Sequence, residues 1–375
     1  MPTKAANAIP IPTAGANCIN RRICVKLQTS DPGEPAFVMN AQFLRYAAIV
    51  LCFALPDPPA GGPFKRFAFD EAHMGTRFRI VLYATNEPAA RDAARAAFDR
   101  IAAFDDCMSD YKPDSELMRL CARAGGDAVV VSPELFTVLE KAREVAEKSD
   151  GAFDVTVGPV VHLWRLARRT ARLPNPEKLA KARALVGYRN MRLDPAHRTV
   201  QLLKSGMLLD LGGIAKGYAA DEALTVLKQR GIDSALVAAG GDIAVSAAPP
   251  DKDGWDVAIV PLGREATPRL RLHDAAVSTS GDAEQSIEIG GVRYSHIVDP
   301  RTGIGLTGRS EVTVVARHGI DSDSLTKVVA VLGPEKGLPI IEAAGATGRV
   351  ARVTDTGLQV AASKNFRSMS PGPIR

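Results

Sequence analysis

Asp210–Asp221 reads DLGGIAKGYAAD, and the fold of the chain is best read outward from it. A mostly apolar run, Met207–Leu211, ends in the paired glycines Gly212 and Gly213, and an Ala-rich helical pattern follows with Lys216 in its first turn. Glycine lets the backbone approach a ligand with no Cβ in the way. A helix N-terminus presents unpaired N–H groups and positive partial charge, which suit a phosphate or pyrophosphate. Lys216 adds a full positive charge there. The stretch is therefore a candidate phosphate site, set against the plainer alternative of a tight strand-to-helix turn. It is no Walker A loop, because Gly217 and Tyr218 follow Lys216 where Ser or Thr is needed. It also lacks the three spaced glycines and distal acid of a dinucleotide fingerprint.

Downstream, the helix opened near Lys216 is predicted to reach about Arg230, with Gly231 as its stop. Ser234–Ala247 reads as strand, turn at Gly240-Gly241-Asp242, strand. Upstream, Ser132-Pro133-Glu134 supplies a capping hydroxyl, a first-turn Pro and an early acid. Leu135, Val138, Leu139, Ala142 and Val145 then recur at helical spacing up to Lys148. Pro88–Phe104 reads as a further helix, and Arg77–Tyr83 as a strand just after Met74-Gly75-Thr76. Trp255–Pro261, Ala276–Ser280, Ser286–Ile289 and Glu311–Ala316 are more strands; a last helix is expected from near Asp323 to Leu332, ended by Gly333-Pro334. Hairpins mixed with a few long helices predict an α+β fold, not a regular βαβ array.

With 375 residues, 46% of them hydrophobic and 24% charged, the chain has the makings of a globular core. A formal charge of +5 without a Lys/Arg block excludes a nucleic-acid-tracking stripe. Residues 1–63 read as leader and linker, 64–362 as the main domain, and 363–375 as a flexible tail. Asn40–Arg45, the apolar run Tyr46–Leu55 and Pro56–Pro63 have the order of a secretory signal, and the run is too short to span a bilayer. Export is the expectation, with Met1 or Met39 as the start; a leader with a chance apolar patch is the alternative. Of five cysteines only Cys107 and Cys121 lie beyond the leader. They match no zinc template, and two buried free thiols are expected.

Five blocks together resemble the FAD:protein FMN transferase family, the ApbE-type flavin transferases. They are Met74-Gly75-Thr76, Met108–Leu117 (MSDYKPDSEL), Asp150–Trp164 (DGAFDVTVGPVVHLW), DLGGIAKGYAAD, and Ser278–Gly303 with its TSGD and SHIVDPRTG. Asp323–Gly333 matches in spacing as a sixth. The resemblance implies a tunnelling-fold (T-fold)-like α+β architecture with FAD in a cleft between two halves. It implies Mg²⁺-dependent transfer of FMN from FAD to a Thr or Ser hydroxyl of a target flavoprotein, releasing AMP. The acceptor it implies is a membrane-associated redox subunit, and the location periplasmic or membrane-associated facing the periplasm, with the cytoplasm left open.

By the same resemblance, Asp323 and the carbonyl of Gly213 are the metal ligands, and hard oxygen donors suit Mg²⁺. His296, just before the turn-forming run Asp299–Gly303, is the expected general base. FAD contacts are expected from Met74, Tyr111, Ala152, Phe153, Asp154, Asp210, Lys216 and Ile297. Read residue by residue, Asp323 also fits a helix cap, Tyr111 a core aromatic, and Asp154 or Asp210 a cap or surface carboxylate. Two departures stand out: Lys327 occupies the position where the family usually has Thr, and Ala283 the position of a common aromatic. An inward Lys327 would repel the Mg²⁺ or partly replace it, and Thr326 next door is an alternative hydroxyl. Two other functions remain open: an FAD pyrophosphatase giving FMN and AMP, and an FAD-binding protein with little catalysis.

Overall fold

The structure, a computed structural model, describes residues 63–259, 261–262, 269–281 and 286–366. The signal-like run, Ala283 and the end of the expected tail lie outside the described residues.

Strands β1 (Lys65–His73) and β2 (Thr76–Ala84) pair across a two-residue turn, Met74-Gly75, with φ of 49° and 71°. A two-residue turn with both φ positive matches the twist of the strands it joins. Helix α1 (Glu87–Met108) is opened by Asn86, whose side chain accepts from Ala89 N at 3.0 Å. Ala90, Ala94, Ala97, Ile101 and Phe104 are buried along one helical face. Helix α2 (Glu116–Cys121) and strand β3 (Val129–Val130) lead to α3 (Pro133–Lys148). There Ser132 accepts from Leu135 N at 3.2 Å, the cap its sequence predicts.

Next come α4 (Gly158–Thr170), α5 (Pro176–Arg183), β4 (Met191–Asp194) and β5 (Thr199–Leu202), the strands forming a small sheet in the order β3-β5-β4. The apolar run Met207–Leu211 joins no sheet and passes through the glycine turn into α6 (Ala215–Gln229). Strands β6 (Ala235–Ala239) and β7 (Asp242–Val245) make the expected hairpin. Strand β8 (Trp255–Ala258) pairs with β9 (Arg269–Leu272), and β10 (Ala275–Gly281) follows. After β11 (Ser286–Ile289), β12 (Val292–Asp299), β13 (Ile304–Thr307) and β14 (Arg309–Ala316) come α7 (Gly319–Leu332), α8 (Pro334–Ala343), β15 (Thr347–Thr354) and β16 (Gly357–Ala362).

One antiparallel sheet, ordered β1-β2-β6-β7-β10-β14-β15-β16, organises the rest. Alternation along β2 sends Phe78, Ile80 and Leu82 to the face covered by α1, α6 and α7. Val81 points the other way, into a second core with Trp255, Val257 and Leu270 of the β8–β9 ribbon. The architecture is α+β, as the pattern of hairpins and helices predicts.

Helix α7 begins at Gly319, a turn earlier than expected, so Asp323 lies inside the helix and is no cap. The N-terminus of α7 is held from α6: Gly319 N and Ile320 N donate to the two carboxylate oxygens of Asp221, at 2.7 and 3.0 Å. Burial pushes the Asp221 carboxyl from an ordinary 3.8 up to about 6, against these two donors. The native state therefore holds this proton more tightly than the unfolded chain does. Through this group, stability falls as pH rises from about 4 to about 6. Asp221→Asn keeps one acceptor and loses the other, at a cost of about 1 kcal/mol. It cannot ionise, so its stability relative to the parent is expected to improve by about 2 kcal/mol between about pH 4 and pH 7. Urea titrations of both proteins across that range measure the difference.

Two smaller expectations change. Ser363 and Phe366, assigned to the flexible tail, are buried; Phe366 packs in the second core. Cys107 and Cys121 are free thiols as expected, but only Cys121 is fully buried. Burial pushes Cys107 up to about 12 and Cys121 to about 11, which leaves both poorly nucleophilic. Among the described residues, no helix is long and apolar enough to cross a membrane.

Candidate active site

Helix α7 turns Asp323 inward, with 0% of its surface exposed. Gly217 N donates to its Oδ2 at 3.2 Å, and Lys327, one turn along α7, donates to Oδ1. Lys216 Nζ lies 3.7 Å from Asp323 Oδ2, 3.0 Å from Asp242 Oδ2 and 3.1 Å from the Gly212 carbonyl oxygen. Two ammonium groups and two carboxylates thus share one small volume at the start of α6. Burial alone would raise Asp323, but Lys216 and Lys327 outweigh it and hold its carboxyl below the ordinary range. For Lys216, burial works against the charge, and Asp242 and Asp323 more than reverse that, so its pKa is raised.

The glycine pair brings backbone to this cluster. A Cβ at Gly213 would meet Lys327 Cε at 3.3 Å and Phe153 Cε2 at 3.4 Å. Lys327 therefore lies across Gly213 with its ammonium on Asp323, and Phe153 sits on the same spot. On one flank, Asp210 accepts from Gly212 N at 2.8 Å and from Arg165 at 2.9 Å. Arg165 also reaches Asp110 at 2.5 Å, and its guanidinium lies 4.2 Å from the centre of the Tyr111 ring. Tyr111 is 74% exposed, a surface ring stacked under a cation rather than a core aromatic. On the other flank, Thr76 Oγ1 would stand 3.2 Å from a Cβ at Gly240, so the turn bearing Met74 abuts the turn that leads into Asp242.

His296 and Ile297 come from β12, which packs against α7. Between Tyr294 and Val298 the β12–β13 register shifts, and a bulge of this kind re-aims side chains. The loop after it is tied down: Arg301 N donates to Asp299 Oδ1 at 2.9 Å, Gly303 N to the Asp299 carbonyl at 2.8 Å, and Trp164 Nε1 to the Gly303 carbonyl at 2.9 Å. Ile297 is buried in the main core, and Ala152 is buried too. Asp154 is committed elsewhere, since Thr156 N, Thr156 Oγ1 and Tyr188 N all donate to its carboxylate at 2.7–2.8 Å. Its carboxylate caps a short 3₁₀ turn, and its side chain is turned into the fold. A surface cavity of about 700 Å³, lined by Phe69, Arg91 and Phe98 between β1 and α1, contains none of these residues.

Residues 74–350 match the ApbE family. The chain belongs to that family. A FAD:protein FMN transferase of Treponema pallidum is 34% identical over 313 residues, spanning 78% of this chain and 86% of the relative. One of Vibrio cholerae is 32% identical over 301 residues, spanning 78% and 90%. The solved flavin transferase ApbE from Vibrio cholerae superposes with a TM-score of 0.75 at 30% identity, covering 82% of this chain and 100% of that one. The apo flavinyl transferase ApbE of Pseudomonas stutzeri gives 0.74 at 28% identity, with 83% and 98% covered. Membership makes the chain an enzyme of the FAD:protein FMN transferase class.

The ApbE resemblance implies Mg²⁺ on Asp323 and Gly213, and the structure does bring these two together. The donor set around them does not suit a dication. Both oxygens of the Asp323 carboxylate are occupied, Oδ1 by Lys327 and Oδ2 by Gly217 N with Lys216 alongside. Magnesium demands several oxygen ligands in near-octahedral array, and two ammonium groups beside the Asp323 carboxylate oppose it. Among the described residues, no group of three or more His, Cys, Asp or Glu side chains could hold a metal. Thr326 offers no substitute: its hydroxyl is fully buried, donating to the Asp323 carbonyl at 2.7 Å and paired with Ser280 Oγ at 2.8 Å.

Sequence reading missed Asp242, Asp221 and Arg165, which hold Lys216, α7 and Asp210 in place. Asp242 had a cue in its Gly-Gly-Asp turn, and Asp221 closes the DLGGIAKGYAAD stretch. Arg165 had none, because its two aspartates come from distant loops.

Proposed function

We propose that the chain transfers FMN from FAD to a Thr or Ser hydroxyl of an acceptor protein and releases AMP. What carries the reading is the family match, joined to a glycine turn at a helix start with Lys216 in its first turn, which suits a pyrophosphate. FAD lies with its pyrophosphate at Gly212–Lys216, between Tyr111 and Arg165 on one flank and Met74 on the other. The acceptor oxygen attacks the FMN phosphorus, the bond from that phosphorus to the bridging oxygen breaks, and the bridging oxygen leaves with AMP. His296 takes the hydroxyl proton as the new phosphoester forms. Backbone N–H groups and lysine ammonium groups neutralise the charge that gathers on the phosphoryl oxygens. The signal-like run Tyr46–Leu55 supports a site of action on the periplasmic side, where the acceptor is a membrane-associated redox subunit.

The test incubates the chain with FAD and a candidate acceptor, with and without Mg²⁺, and weighs the acceptor by mass spectrometry. A gain of one FMN with matching AMP is expected. AMP without the gain identifies a pyrophosphatase instead, and neither product identifies a binding protein. His296→Ala is expected to bind FAD as the parent does and to transfer about 10²–10⁴-fold more slowly. Equal rates would remove His296 from the mechanism.

A further inference from the structure

We propose that Lys327 takes over the charge-neutralising task of a divalent cation at this site, so that the enzyme works without one. The inference rests on the FMN-transfer reading above and goes further by assigning the cation to the protein itself. Lys327 is bound to Asp323, lies across Gly213, and keeps 16% of its side chain exposed. Its stem thus passes over Gly213 and sets the ammonium on Asp323, the two residues expected to ligate a metal. An ammonium has three N–H donors, and only one is needed by Asp323 Oδ1, so two remain for phosphate oxygens.

Charge balance points the same way. With a neutral residue at this position, Asp242 and Asp323 would outnumber Lys216, and the site would attract a dication while repelling a pyrophosphate. Lys327 brings the four side chains to neutrality. That removes most of the attraction for a metal and lifts the repulsion of the substrate without one. A lysine on a helix is also fixed to the chain, so its charge is present at any free metal concentration.

Two measurements on the full chain decide it. Mn²⁺, followed by electron paramagnetic resonance in the presence of FAD, is expected to find no one-per-chain site in the parent and to find one in Lys327→Thr. FMN transfer by the parent is expected to be unchanged by a chelator. Lys327→Thr is expected to lose transfer on the order of 10²-fold in chelator and to regain it with Mg²⁺. Stoichiometric Mn²⁺ binding by the parent, or parent transfer that stops in chelator and returns with Mg²⁺, overturns the inference. The parent alone suffices for both readouts if the variant does not fold. Transfer seen only with Mg²⁺ sinks this inference and leaves the proposed function standing; no transfer under either condition sinks both.

Discussion

Gly217→Ala is expected to lose at least about 3 kcal/mol of unfolding free energy, and with it FAD binding. A Cβ at this position would lie 2.0 Å from the Gly319 carbonyl oxygen and 2.4 Å from its carbon. The reverse contact is as tight: a Cβ at Gly319 would lie 2.4 Å from the Gly217 carbonyl oxygen. Both obstacles are backbone, so no rotamer change can relieve them, and α6 and α7 must separate. Separation pulls Gly217 N off Asp323 and the Asp221 carboxylate off Gly319 and Ile320, so the crossing, the cap and the site fail together. Alanine's better helix propensity returns only about 1 kcal/mol. Urea unfolding of mutant and parent measures the difference, and a mutant as stable as the parent would show that the helices do not cross at these glycines.

The same crossing marks how far the sequence could be read. Helix α3 was legible because its cap, its first-turn Pro and its apolar spacing are all local. The β6–β7 hairpin was legible for the same reason, through Gly240-Gly241. The start of α7 was not. Its cap is Asp221, about a hundred positions upstream, and its first residue is a glycine that looks like loop until α6 is laid against it. Strand β1 gave little pattern because it is mostly exposed, and β16 is exposed along most of its length. At the site, the blocks named Asp323, Gly213, Lys216, Phe153 and Asp210, and these do converge around the glycine turn. What the blocks could not name was the partner of each charge. Lys216 meets Asp242, and Asp210 meets Arg165, across contacts that only the tertiary fold creates. Asp154 shows the opposite case: a carboxylate in a recognisable block whose donors are all internal.

Asp323→Asn is expected to abolish transfer and to cost about 3 kcal/mol of stability. The amide oxygen can still accept from Gly217 N, so the helix crossing survives and the loss is chiefly one of charge. Lys216 keeps Asp242 at 3.0 Å, whereas Lys327 is left beside a neutral amide in a largely buried place. A buried charge deprived of its partner accounts for most of the penalty, softened to the extent that Lys327 can swing toward solvent. Removing that charge as well should recover part of the loss. Asp323→Asn combined with Lys327→Met is therefore expected to be less destabilised than the two single changes predict together, by at least about 1 kcal/mol. Transfer stays absent in the double variant, because neither the carboxylate nor its ammonium remains to position the pyrophosphate. Strict additivity in urea titrations would mean that Asp323 and Lys327 do not interact in solution, and the ion pair at the centre of the site would have to be withdrawn.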